Sequence, residues 1–172
     1  VNGYSTVAIN ANSVTMLTGT NDEILAAYAA DTDGTVLLDG DANLTVSSGS
    51  ITVTEANVLD DYTTGVVTAT ISTTAVDDLD DLTGTGNAYT ITVADSNVTA
   101  AALNTVHYAT NVQVDATAVT QITGNNVDLL TLYAAFNANE ININNNVKLV
   151  VSDDITVAQA NVLDGKTTGV IT

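Results

Sequence analysis

The sequence predicts an α/β chain wound as a right-handed, parallel strand-helix solenoid of about seven coils. Three observations carry that expectation. The chain repeats itself at a spacing of about 105 residues. Short β-rich stretches recur, most of them about 21 to 24 residues apart, and the segments between them have the apolar spacing of short helices.

The long repeat is the plainest signal. ITVTEANVLDDYTTGVVT (Ile51 to Thr68) and ITVAQANVLDGKTTGVIT (Ile155 to Thr172) are identical at 13 of 18 positions. VAINANSVTMLTGTNDEILAAYAA (Val7 to Ala30) and VQVDATAVTQITGNNVDLLTLYAA (Val112 to Ala135) are identical at 11 of 24. Residues 1–111 therefore read as a first superrepeat entered in mid-coil, and residues 112–172 as part of a second, in one continuous solenoid. LDGKTTGVIT (Leu163 to Thr172) also matches VNGYSTVAIN (Val1 to Asn10) once one glycine is skipped, placing Asp164 over Asn2, Gly165 over Gly3, Thr168 over Thr6 and Val170 over Val7. The chain is thus expected to begin and end in one phase of a coil, with no capping unit.

Strands are expected at VAIN, ANLTV, GVVTATI, AYTITV, NVQVDA, NVKLVV and GVIT, starting near Val7, Leu44, Val66, Tyr89, Val112, Val147 and Val170. Helical stripes are expected through Val58, Leu59 and Tyr62, through Val76, Leu79 and Leu82, and through Val98, Ala101, Ala102 and Val106. Thr20 and Glu23 have the spacing of a capping box, and Asn125 and Asp128 keep a capping side chain and an acid at the matching places. The two longest gaps, around Asp31 to Asn43 and Asn137 to Asn146, are expected to be loops.

A coil of this size cannot bury its apolar strand face and helix stripe alone. Stacking coils at roughly 4.8 Å supplies a parallel sheet on one side and a row of helices on the other. Positions at which the superrepeats agree, Val58/Val162, Leu59/Leu163 and Val66/Val170, are expected inside. Positions with polar exchange, Glu55/Gln159, Asp61/Gly165 and Tyr62/Lys166, are expected in water. Threonine and asparagine suit the strands and corners, where stacked side chains share hydrogen bonds along the axis. No proline interrupts the ladder.

Composition narrows the partners. Against 20 acidic residues there are 2 basic ones, giving a net charge of −18. Nucleic acid and anionic membranes are repelled by such a surface. No stretch approaches the ~20 apolar residues of a membrane span, and no basic leader opens the chain, so any targeting segment has been removed or lies outside this piece. With no cysteine, disulfides, thiolate metal sites and cysteine nucleophiles are excluded.

Few constellations carry chemistry, and no enzyme is expected. His107, the single imidazole, reads as a helix-terminal or surface residue without partners at catalytic spacing. LTGTGN lacks the lysine of a phosphate loop and reads as a turn. Asp77, Asp78, Asp80 and Asp81 flank Leu79 as a solvated helix face. The strongest metal candidates are Asp31, Asp33, Asp39 and Asp41, alternating carboxylates in a glycine-containing stretch that could converge on Ca²⁺ or another divalent cation, although no glutamate closes the loop.

ANVLDGKTTGVI, AVTQITG with VDLLTLYAA, and TISTTAVDDLDDLTGTGNAYTITV resemble the Thr, Asn and Asp-rich repeat arrays of giant secreted or cell-surface proteins of bacteria, cyanobacteria above all. The likeness covers nearly the whole chain and departs from the commoner pattern in the acidic stretch DTDGTVLLDGDAN. It implies an extracellular or cell-surface structural or adhesive role, with no catalytic residues. The leading expectation is a segment of a filament, surface layer or adhesive stalk that associates end to end with copies of itself. The alternative is a solenoid module whose Thr-x-Thr elements bind carbohydrate, ice or mineral. A glycan-cleaving solenoid would need paired acids in a cleft, which the sequence does not display.

Overall fold

The computed structural model describes residues 7–172, so the matches at Asn2, Gly3 and Thr6 lie outside the described residues. The described chain is α/β, with eleven short strands and six helices. The first half runs β1 (Ile9–Asn10), β2 (Met16–Gly19), α1 (Asn21–Thr32), β3 (Val36–Leu37), β4 (Asn43–Val46), α2 (Val53–Asp61), β5 (Val67–Thr70), α3 (Val76–Leu79), β6 (Ala88–Thr90), β7 (Asn97–Thr99) and α4 (Ala100–Tyr108). The second runs β8 (Val114–Ala116), β9 (Gln121–Gly124), α5 (Asn126–Asn137), β10 (Ile141–Ile143), β11 (Lys148–Val151) and α6 (Val157–Asp164).

Every paired strand is parallel to its neighbour, in the orders β2-β4-β5-β6, β11-β9-β7, β1-β3 and β10-β8. The partners are distant in sequence by one short repeat. Thr68 pairs with Ala88, Leu44 with Val67, Asn97 with Gln121 and Met16 with Asn43. Single bridges continue the pattern at Ile51 with Ile71, Asn87 with Thr110, Thr92 with Asp115 and Leu149 with Ile171.

Eleven strands form where the sequence predicts seven, because several repeats contribute two short extended pieces instead of one. The two long gaps are not plain loops, since β3 and β10 lie inside them and pair with β1 and β8. The helices that lead into them are longer, with 12 residues in α1 and α5 against 9 in α2 and 8 in α6.

Helix starts follow local capping chemistry. Thr20 and Glu23 form the predicted capping box, and Thr52 with Glu55 and Thr156 with Gln159 form two more. Glu55 and Gln159, expected only to face water, thus satisfy the N-cap amides of their helices. Asn125 accepts the Asp128 amide, but Asp128 answers the Asn125 side chain instead of its backbone.

The predicted stripe Val76, Leu79 and Leu82 is buried as expected, and the other two stripes are shifted. Helix α2 buries Val53, Ala56 and Leu59 and leaves Val58 and Tyr62 exposed. Val98 belongs to β7, where it pairs with Ile122, and Ala101 is exposed. Leu59 and Leu163 are fully buried as expected, whereas Val58, Val162, Val66 and Val170 face solvent. The reason at Val66 is strand alternation: β5 buries Val67 and Ala69, so the preceding residue points outward. Tyr62 is 40% exposed, yet its ring stacks on Tyr28 at 4.7 Å.

The buried apolar residues form one connected cluster that extends from Ile24 to Leu163. Polar residues at its corners bond across to the backbone of the neighbouring repeat, rather than to identical side chains. Thr63 donates to Ala42 O at 2.6 Å, Thr110 to Tyr89 O at 2.8 Å and Thr167 to Val147 O at 2.7 Å. The buried Asn87 side chain accepts the Val67 amide at 2.8 Å and so replaces a backbone rung.

Candidate functional site

The four aspartates proposed from the sequence lie on and after the end of α1. Asp31 is in its last turn and Asp33 is its C-cap, while Asp39 precedes and Asp41 lies in the turn between β3 and β4. Asp31 Oδ1 accepts the Leu38 amide at 2.8 Å, fastening this segment to the helix end. Gly34, at φ +69°, makes the reversal that the stretch needs. Among the described residues the structure gathers no group of three or more His, Cys, Asp or Glu side chains that could hold a metal ion. On α3, Asp77 and Asp78 sit in the first turn, and partial burial together with the charges of Asp81, Asp77 and Asp78 raises the Asp80 carboxyl above its ordinary range.

His107 is not a surface residue. It lies in the last turn of α4, 5% exposed, beside a cleft of about 310 Å³ lined also by Tyr108, Thr110, Asn111, Ala138, Asn139 and Glu140. Its Nδ1 is 3.6 Å from Glu140 Oε2, and its ring lies 4.0 Å from that of Tyr108. Nε2 is buried with no hydrogen-bond partner. Burial pushes the imidazole below its ordinary value, partly opposed by the Glu140 charge, so the neutral ring is favoured. Asn139, at φ 65°, is held by Gln113 Nε2 donating to its Oδ1 at 2.7 Å. The lining thus supplies one imidazole and one carboxylate. Paired-acid chemistry needs a second carboxyl group across the cleft.

Threonines align on the strands in short rows. Thr18, Thr45 and Thr68 are in register across β2, β4 and β5, and Ala88 of β6 interrupts the row. Thr70 and Thr90 make a second row, Thr99 and Thr123 a third. None of these side chains is buried.

The repeat provides an internal comparison that sequence inspection could not. Val53 and Val157 hold the same place in α2 and α6, yet Val53 is 8% exposed and Val157 79%. Ala56, Ile51 and Val67 are buried, while their counterparts Ala160, Ile155 and Ile171 are only partly so. Val114, Ala116, Val119 and Ile122 in and around β8 and β9 are completely buried. Ile9, Ala11, Val14 and Leu17, their counterparts in and around β1 and β2, are partly exposed. Two apolar faces of the described molecule therefore lack the neighbour that the same residues have elsewhere in the chain.

No helix among the described residues is long and apolar enough to cross a membrane. No protein-family model, curated protein or solved structure matches the chain.

Proposed function

We propose that the chain is an extracellular structural repeat, a non-enzymatic segment of a self-associating filament, surface layer or adhesive stalk. In this reading it winds as a right-handed solenoid of about seven strand-helix coils, each stabilised by its neighbours. The observation that carries the reading is the parallel pairing of strands one short repeat apart, from Ile9 with Val36 to Leu149 with Ile171. Such an arrangement extends by adding coils. Its recurring chemistry, threonine hydroxyls and asparagine amides on neighbouring backbone, maintains stacking rather than converging on a reacting atom. The resemblance to bacterial surface arrays and the repulsion of anionic partners by a net charge of −18 agree with a place outside the cell. Divalent cations, Ca²⁺ among them, act on this surface by screening the carboxylates that copies bring together.

The test is electron microscopy and sedimentation of the purified chain across salt and concentration. Filaments or sheets are expected. A monodisperse monomer at high concentration and physiological salt overturns the reading. The rows Thr18-Thr45-Thr68 and Thr70-Thr90 favour a second reading, a module for carbohydrate, ice or mineral surfaces. Thr45→Tyr and Thr68→Tyr then abolish retention on such a surface without altering assembly.

A further inference from the structure

We propose that the cleft between the C-terminal ends of α4 and α5 binds a primary ammonium group, held between the Tyr108 ring and the Glu140 carboxylate. The cleft lies between two inner repeats and is complete in the single molecule, so it stands or falls apart from the filament reading.

The cleft forms because two packed helices end beside each other. Helix α4 stops at Tyr108, where the amide of its C-cap Ala109 donates to Val106 O. Helix α5 stops at Asn137, and Asn139 in the left-handed region turns the chain so that the Glu140 amide donates back to Ala135 O. Glu140 O then accepts the Val114 amide, which ties the segment to β8. This reversal brings the Glu140 carboxylate to 3.6 Å from His107 Nδ1, too long for a hydrogen bond.

Acceptors dominate the polar lining. The Glu140 carboxylate receives no hydrogen bond from the described residues. Asn111 Nδ2 donates to Gly86 O at 2.9 Å, which leaves its Oδ1 open. His107 Nε2 also lacks a donor. The Thr110 hydroxyl is spent, since it donates to Tyr89 O and accepts the Val112 amide. Asn139, whose Oδ1 accepts from Gln113, offers its Nδ2.

No lysine or arginine lines the cleft, and the carbonyl ends of both helices add partial negative charge beside it. A donor-rich cation complements such a wall, and an anion is repelled by it. A bare calcium ion fits poorly, because Glu140 is the one carboxylate of the lining and Ca²⁺ takes about six to eight oxygens. Tyr108 favours an organic cation instead. Its ring is 60% exposed and lies 4.0 Å from the His107 ring, and an aromatic face attracts an ammonium group. The volume of about 310 Å³ leaves room for the carbon chain of a small amine.

The probe is n-butylammonium chloride, titrated into the full chain and followed by two-dimensional NMR at about 0.15 M ionic strength, where diffuse attraction to the acidic surface is largely screened. Saturable shifts are expected at Asn111, Asn139 and Glu140, with a dissociation constant on the order of 1 mM. Glu140→Gln, at an exposed side chain, should weaken binding about tenfold. Asp22→Asn alters the net charge equally at an exposed position of α1 and should leave binding unchanged. Tyr108→Leu should weaken it about threefold and Tyr108→Phe should not. Glu140 faces His107 from the α5 side and Tyr108 from its own helix. Between about pH 8 and pH 5, affinity should fall as the imidazole takes up a proton and competes for Glu140, and His107→Gln should remove that fall. A lysine side chain carries the same group, so Nα-acetyl-lysine methylamide titrated in parallel shows whether the site prefers a free or a protein-borne amine. Equal affinity for neutral n-butanol, equal loss in Glu140→Gln and Asp22→Asn, or no saturable binding of either amine would overturn the site.

Discussion

At the scale of the residue, the Thr-Thr-Gly triplets at 63–65 and 167–169 show why the chain repeats this phrase. Thr63 Oγ1 donates to Ala42 O and accepts the Gly65 amide at 2.9 Å, and Thr167 repeats both bonds with Val147 O and Gly169. A Cβ on Gly65 would lie 2.7 Å from Asp41 O and 2.8 Å from Ala42 O, so glycine is required by closeness to the neighbouring backbone. Thr63→Val should cost about 1–3 kcal/mol by leaving buried polar groups unpaired. Gly65→Ala should cost about 1–3 kcal/mol by overpacking. Denaturant unfolding of the full chain measures both, and a loss below about 0.5 kcal/mol would mean that the backbone yields at little cost. Identity between superrepeats was a sound guide to these residues and a poor guide at Val66 and Val170. It records that a position is constrained, and both an inward and an outward residue can be.

At the scale of the element, α2 and α6 show how little a helix decides about its own burial. Their starts were legible, because a threonine followed three residues later by Glu or Gln closes a capping box from local chemistry alone. Which side chains face inward was not. The apolar residues of α2 cover more than one side, so spacing permits either Val58 or Val53 as the partner of Leu59, and only the placement of residues 71–83 selects Val53. Val53→Ala should therefore destabilise the fold by roughly 1.5 kcal/mol, at about 0.8 kcal/mol per buried CH₂. Val157→Ala should stay within about 0.5 kcal/mol in the isolated molecule. Equal losses would show that the α6 face is covered in solution in the same way. Strands of two to four residues also escape detection by alternation, which is why β2, β3, β7, β9 and β10 were not predicted.

At the scale of the whole molecule, charge and burial set the response to conditions. Burial lowers the His107 pKa below its ordinary value, so the unfolded chain takes up the proton more readily. The stability contributed by the neutral ring is present above about pH 6.5 and is lost as pH falls through the lower, folded value. His107→Gln should flatten the fall in thermal midpoint on that acidic side. An unchanged slope would remove His107 as its cause. Asp115, held low by hydrogen bonds from Thr117, adds a loss in the same direction at more acidic pH. With a net charge of −18, the midpoint should rise with ionic strength. Sodium and calcium salts compared at equal ionic strength test for more: an additional rise with calcium that a chelator reverses would show specific binding, and its loss in the Asp31→Asn and Asp33→Asn variants would place the site on that stretch.

The sequence by itself determined the α/β class, the period at which the chain matches itself, the capped helix starts and the burial of Leu59 and Leu163. These follow from local hydrogen-bonding geometry and from side chains apolar enough to be buried in any arrangement. Only the tertiary structure decided that Val53 is covered while Val157 is exposed, that His107 lies buried beside Glu140, and that Asp31 fastens to Leu38. Parallel strands pair with segments 20 to 27 residues away, so a side chain's surroundings come from distant sequence and identical sequence can meet different neighbours.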